Sequence, residues 1–212
     1  MLKDVGRWTP LTGVGFAFLL FFGAMVGGNT PNSDASPQKV VSFYESHRGG
    51  QHASAFLIAY SIVFGLFFAA ALRSYLRGRS AGGGLIGLGV SGMTVLAVGA
   101  ATIAGLSFAA TDVPGKISPA AEQALNVLQN DVFFGLLIGA GVFLIGNGLA
   151  IVKSDALPRW LGWVAVLFGV VAVTPIGWLV LIFALPLWSL IVSVLMFIRQ
   201  SAPAPAAAAA TG

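Results

Sequence analysis

The chain has 212 residues, of which 57% are hydrophobic and only 8% charged, and it contains no cysteine. An average soluble domain is roughly 25% charged, so a soluble globular fold is excluded; without cysteine, so are disulfides, thiolate metal sites, iron–sulfur clusters and covalently attached haem. The net charge of +4 is scattered between apolar runs and forms no basic patch interleaved with aromatics, so no nucleic-acid partner is expected.

Lys3 and Arg7 open the chain, and Leu11–Gly28 follows with 18 uncharged residues. A cleaved signal peptide has an apolar core of about 7–15 residues and a small-x-small site, so this run is expected to stay as a first helix. The connection that follows carries Ser36-Pro37, a helix N-cap with proline at the first helical position. Val40, Phe43, Tyr44 and His47 then recur at i, i+3, i+4 and i+7. That spacing predicts a short amphipathic helix lying on a surface.

Ala53–Leu72, Ala81–Thr111 and Val132–Val152 are uncharged over 20, 31 and 21 residues. A hydrocarbon core of about 30 Å needs about 20 apolar residues, so each predicts one span. Between the last two, Asp112-Val113-Pro114-Gly115 predicts a turn, and Ser118-Pro119 repeats the capping device before Ala120–Asn130 runs into the fourth span. Trp160–Ile198 is uncharged over 39 residues. One helix of that length would reach about 60 Å, so a fold-back is expected at Thr174-Pro175-Ile176-Gly177. The expected fold is an all-α, polytopic transmembrane helical bundle of about six spans, near 11–28, 53–74, 83–109, 131–152, 159–173 and 177–198. Residues 201–212 are an Ala/Pro-rich tail expected to be disordered.

Lys and Arg set the orientation. Eight of the eleven (Lys3, Arg7, Arg73, Arg77, Arg79, Lys153, Arg159 and Arg199) fall at the two ends of the chain and in the second and fourth connections. Only Lys39, Arg48 and Lys116 fall in the first and third, with most of the acidic residues. Both termini are therefore expected in the cytoplasm. Trp8, Tyr75, Trp160 and Trp163 fall at expected inner ends of spans and Trp178 at an outer one, as interfacial belts require. Trp188 lies deep in the last span, two residues after Pro186, where its indole N–H needs a partner.

Inside the spans, Gly23/Gly27, Gly83/Gly87 and Gly135/Gly139 are GxxxG pairs suited to close helix contact. Gly87, Ser91, Thr94, Val98, Thr102 and Gly105 share one small, partly hydroxylated face. Ser91, Thr94, Thr102, Gly135, Gly139 and the deeply placed Asn147 are thus candidates for helix contact or for lining a narrow polar path. No ionisable residue lies deep in a span, which argues against an ion-coupled transporter. Glu45, His47 and His52 are the nearest thing to an acid–imidazole group. His47 and His52 are five apart and share no helix face, and no HExxH or GxSxG motif occurs. No catalytic, cofactor-binding or metal site is expected, nor enzymatic activity.

The segments "SPQKVVSFYESHR" and "LRSYLR" within 31–77, with the later "LPRWLGWVAVLFGV", resemble small bacterial multi-pass membrane proteins of uncharacterised function. The resemblance implies a six-helix protein of the bacterial plasma membrane and carries over no catalytic residue. Two function classes follow. One is a structural or accessory protein that assembles with itself or a membrane partner through glycine-rich faces; the other is a facilitator or conduit for a small solute or lipid.

Overall fold

The computed structural model describes residues 6, 8–79, 82–154 and 156–201, and these are helical throughout apart from turns and connections. A single 3-10 turn, Thr9–Leu11, leads into α1 (Thr12–Val26). Then come α2 (Pro37–Ser46), α3 (Arg48–Arg77), α4 (Gly83–Asp112), α5 (Pro119–Lys153) and α6 (Arg159–Ala172). The last stretch is α7 (Gly177–Leu179), a π-helical segment Val180–Ala184 and α8 (Leu185–Ser201). Five stretches are long and apolar enough to cross a membrane: Thr9–Val26, Arg48–Arg77, Gly83–Asp112, Pro119–Lys153 and Gly177–Gln200. At 14 residues α6 is about 21 Å long, shorter than the others. The tail beyond residue 201 lies outside the described residues, as do Lys3 and Arg7 of the charge pattern.

Local chemistry explains the boundaries. Ser36 Oγ accepts the Lys39 N–H at 3.4 Å and Ser118 Oγ accepts the Ala121 N–H at 3.3 Å, each with proline next in the chain. The second capped helix does not stop. It runs straight on as α5, 35 residues in one piece. Between α4 and α5, the Lys116 N–H donates to Val113 O at 2.7 Å across Pro114 and Gly115, and Gly115 has φ +74°. Proline second and a left-handed glycine third make a type II turn. At the fold-back, the Gly177 N–H closes on Thr174 O at 2.8 Å.

The π-helical segment has an identifiable cause. Pro186 has no N–H for Ile182 O, and its ring would clash there in a regular α-helix. The chain widens just before it, and the Leu185 N–H reaches back to Val180 O, a one-turn bulge.

The helices form a closed ring: α1 against α3, α3 against α4, α4 against α5, α5 against α6, α6 against the π-helical segment and α8, and α8 back against α1. Glycines set the closest approaches. A Cβ on Gly92 would lie 2.7 Å from Phe143 Cα, and one on Gly139 2.7 Å from Leu96 Cα. A Cβ on Gly148 or Gly162 would lie 2.6 Å from the other's carbonyl oxygen, and one on Gly141 or Gly169 2.9 Å from the other's. At these glycines there is no room for a side chain, and the backbones of α4, α5 and α6 approach closely.

Across the middle of the ring, Phe16, Phe68, Met93, Phe143 and Trp188 are all essentially buried. Phe143 stands edge-on to Trp188, ring centres 5.9 Å apart. The Trp188 indole N–H donates to Leu161 O at 3.1 Å, which supplies the partner a buried indole needs. At the end where α3 finishes, Tyr75 Oη and Arg199 both donate to Ala156 O, at 3.1 and 2.6 Å. Tyr75 is therefore a buried tether, not the exposed belt residue the sequence suggests; Trp8, Trp160, Trp163 and Trp178 are exposed.

Candidate functional site

The opposite end of the ring is built differently. There the connection 27–36, α2 and the first three turns of α5 form a polar cap. Left-handed Gly28, φ +75°, ends α1 and leaves its last carbonyls without helical donors. Ser54 Oγ donates to Gly23 O at 2.6 Å and Gln51 Nε2 to Gly27 O at 2.7 Å. From α5, the amides of Asn126 and Asn130 both donate to Pro31 O at 3.0 Å, and Gln123 Nε2 to Ala35 O at 2.7 Å. The connection is held by side-chain amides at both edges.

Val40 and Tyr44 of α2 are fully buried, and Phe43 packs beside them. Tyr44 Oη lies 3.0 Å from Asn126 Oδ1 and 3.4 Å from Gln129 Oε1; its one proton favours the shorter. Burial, and then the nearby Glu122 carboxylate, push the Tyr44 hydroxyl up to about 12. Glu122 is itself 0% exposed, with no hydrogen-bond partner on either oxygen. Burial, with the charge of Glu45 second, raises its pKa above the ordinary carboxylate value. A neutral acid meets a buried, acidic neighbourhood at lower cost than a carboxylate.

Against the connection lies a cavity of about 540 Å³, lined by α1, α3, α4, α5 and the π-helical segment. That volume is typical of small-molecule sites. Its upper wall carries Asn29, Thr30, Asn32, Gln51, Ser107 and Gln129, and its floor Leu20, Ile58, Ile103, Leu136 and Leu181. Gln129 joins the two features, as its Oε1 faces Tyr44 while its side chain lines the cavity. Phe16 lies one helical turn beyond Leu20, so the buried aromatic layer closes the floor. The cavity is a dead end.

The sequence candidates fall in three places. Ser91, Thr94 and Thr102 are exposed on the outer face of α4. Thr94 and Thr102 return their hydroxyls to their own helix, at Val90 O (3.1 Å) and Val98 O (2.9 Å). They line no interior path. Gly139 is in the seam, whereas Gly135 has open space around it. Asn147 is buried, donates to Phe143 O at 2.9 Å, and fills the space in front of Gly89, which makes it a packing residue. Of the other GxxxG pairs, Gly23 and Gly27 pack on Ile58 and Ser54 of α3, while a Cβ added at Gly83 or Gly87 would meet no neighbouring helix within 4 Å.

Glu45, His47 and His52 do not converge. His47 is exposed, stacked on Phe43 at 4.4 Å with its Nδ1 2.9 Å from Ser46 Oγ. His52 Nε2 lies 3.6 Å from Asp112 Oδ1, too long for a hydrogen bond, while Arg48 pairs with the same oxygen at 3.0 Å. Sequence reasoning missed Glu122, Asn126 and Gln129, which recur at i, i+4 and i+7 on α5. That polar stripe was visible, but without knowing that α2 folds over it, it reads as a solvated face.

Comparison with protein-family models, with curated proteins and with solved structures returns no match to this chain.

Proposed function

We propose that this is a multi-pass membrane protein that binds a small solute or lipid molecule in the cavity at its capped end. The cavity carries the proposal: it is roomy, polar at the mouth, apolar at the floor and closed beneath. A dead end suits holding a molecule better than conducting one, so a facilitator would have to move the aromatic layer around Phe143. The charge pattern and the resemblance favour six crossings, with α6 as a short one, in a bacterial plasma membrane, both termini cytoplasmic and the cap outside.

Since the chain has no cysteine, single cysteines can be placed cleanly. In intact cells, Asn29→Cys at the mouth and Ser107→Cys on the wall should react with a small membrane-impermeant thiol reagent added outside. Gln200→Cys should react only after the membrane is opened. Protection of Ser107→Cys with Asn29→Cys also unreactive would contradict an outward-facing cavity.

Assembly through a helix face is a second reading, and one observation favours it. The face of α4 with Gly83, Gly87, Ser91, Thr94, Thr102 and Gly105 is exposed and unobstructed, as a contact with another copy or a membrane partner requires. Oxidative cross-linking of Ser91→Cys into a dimer within the membrane would support it.

A further inference from the structure

A second space lies directly behind the cavity. Between α1 and α8 runs an external groove of about 290 Å³, walled by Ala17, Phe21, Phe183, Pro186 and Leu190. The two spaces share their dividing wall. On α1, Leu20 and Ala24 face the cavity while Ala17 and Phe21 face the groove; on the π-helical segment, Leu181 and Ile182 face the cavity and Phe183 the groove. On the groove side of that wall Phe21 and Phe183 meet edge to face, ring centres 6.0 Å apart.

Across this wall two side chains that can change rotamer meet, and its backbone on one side is a π-helical segment before a proline, where the regular hydrogen-bond ladder is already interrupted. The other contacts of the ring that rest on glycine have no comparable freedom.

The chemistry of the cavity narrows what could occupy it. None of the residues lining it is Asp, Glu, Lys, Arg or His. A charged group entering would be buried without a partner. Its mouth nonetheless offers hydrogen bonds: Gln129 Nε2 and Ser107 Oγ make none to the described residues, while the floor is aliphatic. We propose that cavity and groove are two halves of one site for an uncharged single-chain amphiphile. A hydroxyl- or carbonyl-bearing head sits at Gln129 and Ser107. The alkyl chain leaves sideways between α1 and α8, past Phe21 and Phe183. This rests on the cavity reading above and adds the ligand class and its route.

The test uses the full chain in phosphatidylcholine nanodiscs and two photoactivatable probes of equal chain length, a monoacylglycerol and the corresponding fatty acid, with labelled residues mapped by mass spectrometry. The monoacylglycerol should label Leu20, Ile103 or Leu181 saturably, and the ionised fatty acid should do so with affinity lower by about tenfold or more, since its charge has no partner. Ala24→Phe, which fills the cavity, should abolish saturable labelling, and Phe21→Ala should speed its onset; both should unfold in a single cooperative transition. Equal labelling of these cavity residues by both probes would overturn the ligand class and leave the cavity as a binding site. Labelling confined to Phe18 and Leu187, on the outside of the groove, would overturn the joined site. Absence of saturable labelling by either probe would overturn the cavity reading as well.

Discussion

The seam between α4, α5 and α6 and the cap around α2 treat space in opposite ways. In the seam, glycines remove every side chain until backbones touch, and Asn147 fills the residual gap at Gly89. In the cap, about 540 Å³ stays open, and the carboxyl group of Glu122 and the ring of Tyr44 are buried in the packing between α2 and α5. Close packing gives stability and leaves nothing to recognise. Unfilled space bordered by unpaired polar groups lowers stability, and is where a ligand can supply the missing contacts. Damage to the seam should therefore unfold the protein, whereas damage to the cap should change its pH response and binding and leave the fold.

The largest effect is expected at Gly92. In Gly92→Leu the new side chain meets Phe143 backbone, which cannot move aside, so a loss of several kcal/mol or no folded protein is predicted. Gly87→Leu, on the open face of the same helix, should stay within about 0.5 kcal/mol. Gly139→Leu and Gly135→Leu should split the same way. Thermal unfolding of the purified chain in mild detergent checks both pairs; equal effects would break the contrast between packed and open faces. Next is Trp188→Phe, which removes the hydrogen bond to Leu161 O and should cost about 1–3 kcal/mol because that carbonyl stays buried. An unchanged melting temperature would mean the indole contributes packing alone.

In the cap the effects are smaller and depend on pH. The folded chain holds the Glu122 proton more tightly than the unfolded chain, because burial, and then Glu45, oppose the carboxylate. The stability this acid contributes is complete below the ordinary carboxylate range and is lost as pH rises through its raised value. Glu122→Gln should therefore melt higher than the parent at pH 8 by roughly 1 kcal/mol equivalent, the advantage shrinking toward pH 4. A difference that stays constant with pH would show that Glu122 is already ionised or solvated when folded. Tyr44→Phe should cost about 1 kcal/mol, since Asn126 Oδ1 loses its donor, and should blunt the pH response by loosening α2.

Much of the architecture was legible in the sequence. The apolar runs locate the long helices, and Ser36-Pro37, Ser118-Pro119, Val113–Lys116 and Thr174–Gly177 act locally, where neighbouring residues decide the geometry. What escaped depends on which face of a helix meets which neighbour. On α4 two stripes of small residues compete, Gly89, Gly92 and Gly99 against Gly87, Ser91, Thr94, Thr102 and Gly105. Size alone cannot rank them, because lipid and a neighbouring helix are equally apolar. The threonines held the clue, since a hydroxyl that returns to its own helix is as suited to lipid as to a partner. Tyr75 was misjudged and Glu122 missed for a related reason: each is placed like an interfacial residue along the chain, but is buried in the fold.

The central claim is that the capped-end cavity holds a molecule. Native mass spectrometry of the chain extracted in its surrounding membrane and released from the nanodisc tests this most directly. The account predicts one small amphiphile retained per chain, lost in Ala24→Phe while the variant remains folded. A chain released bare, or an adduct retained equally by Ala24→Phe, would contradict it.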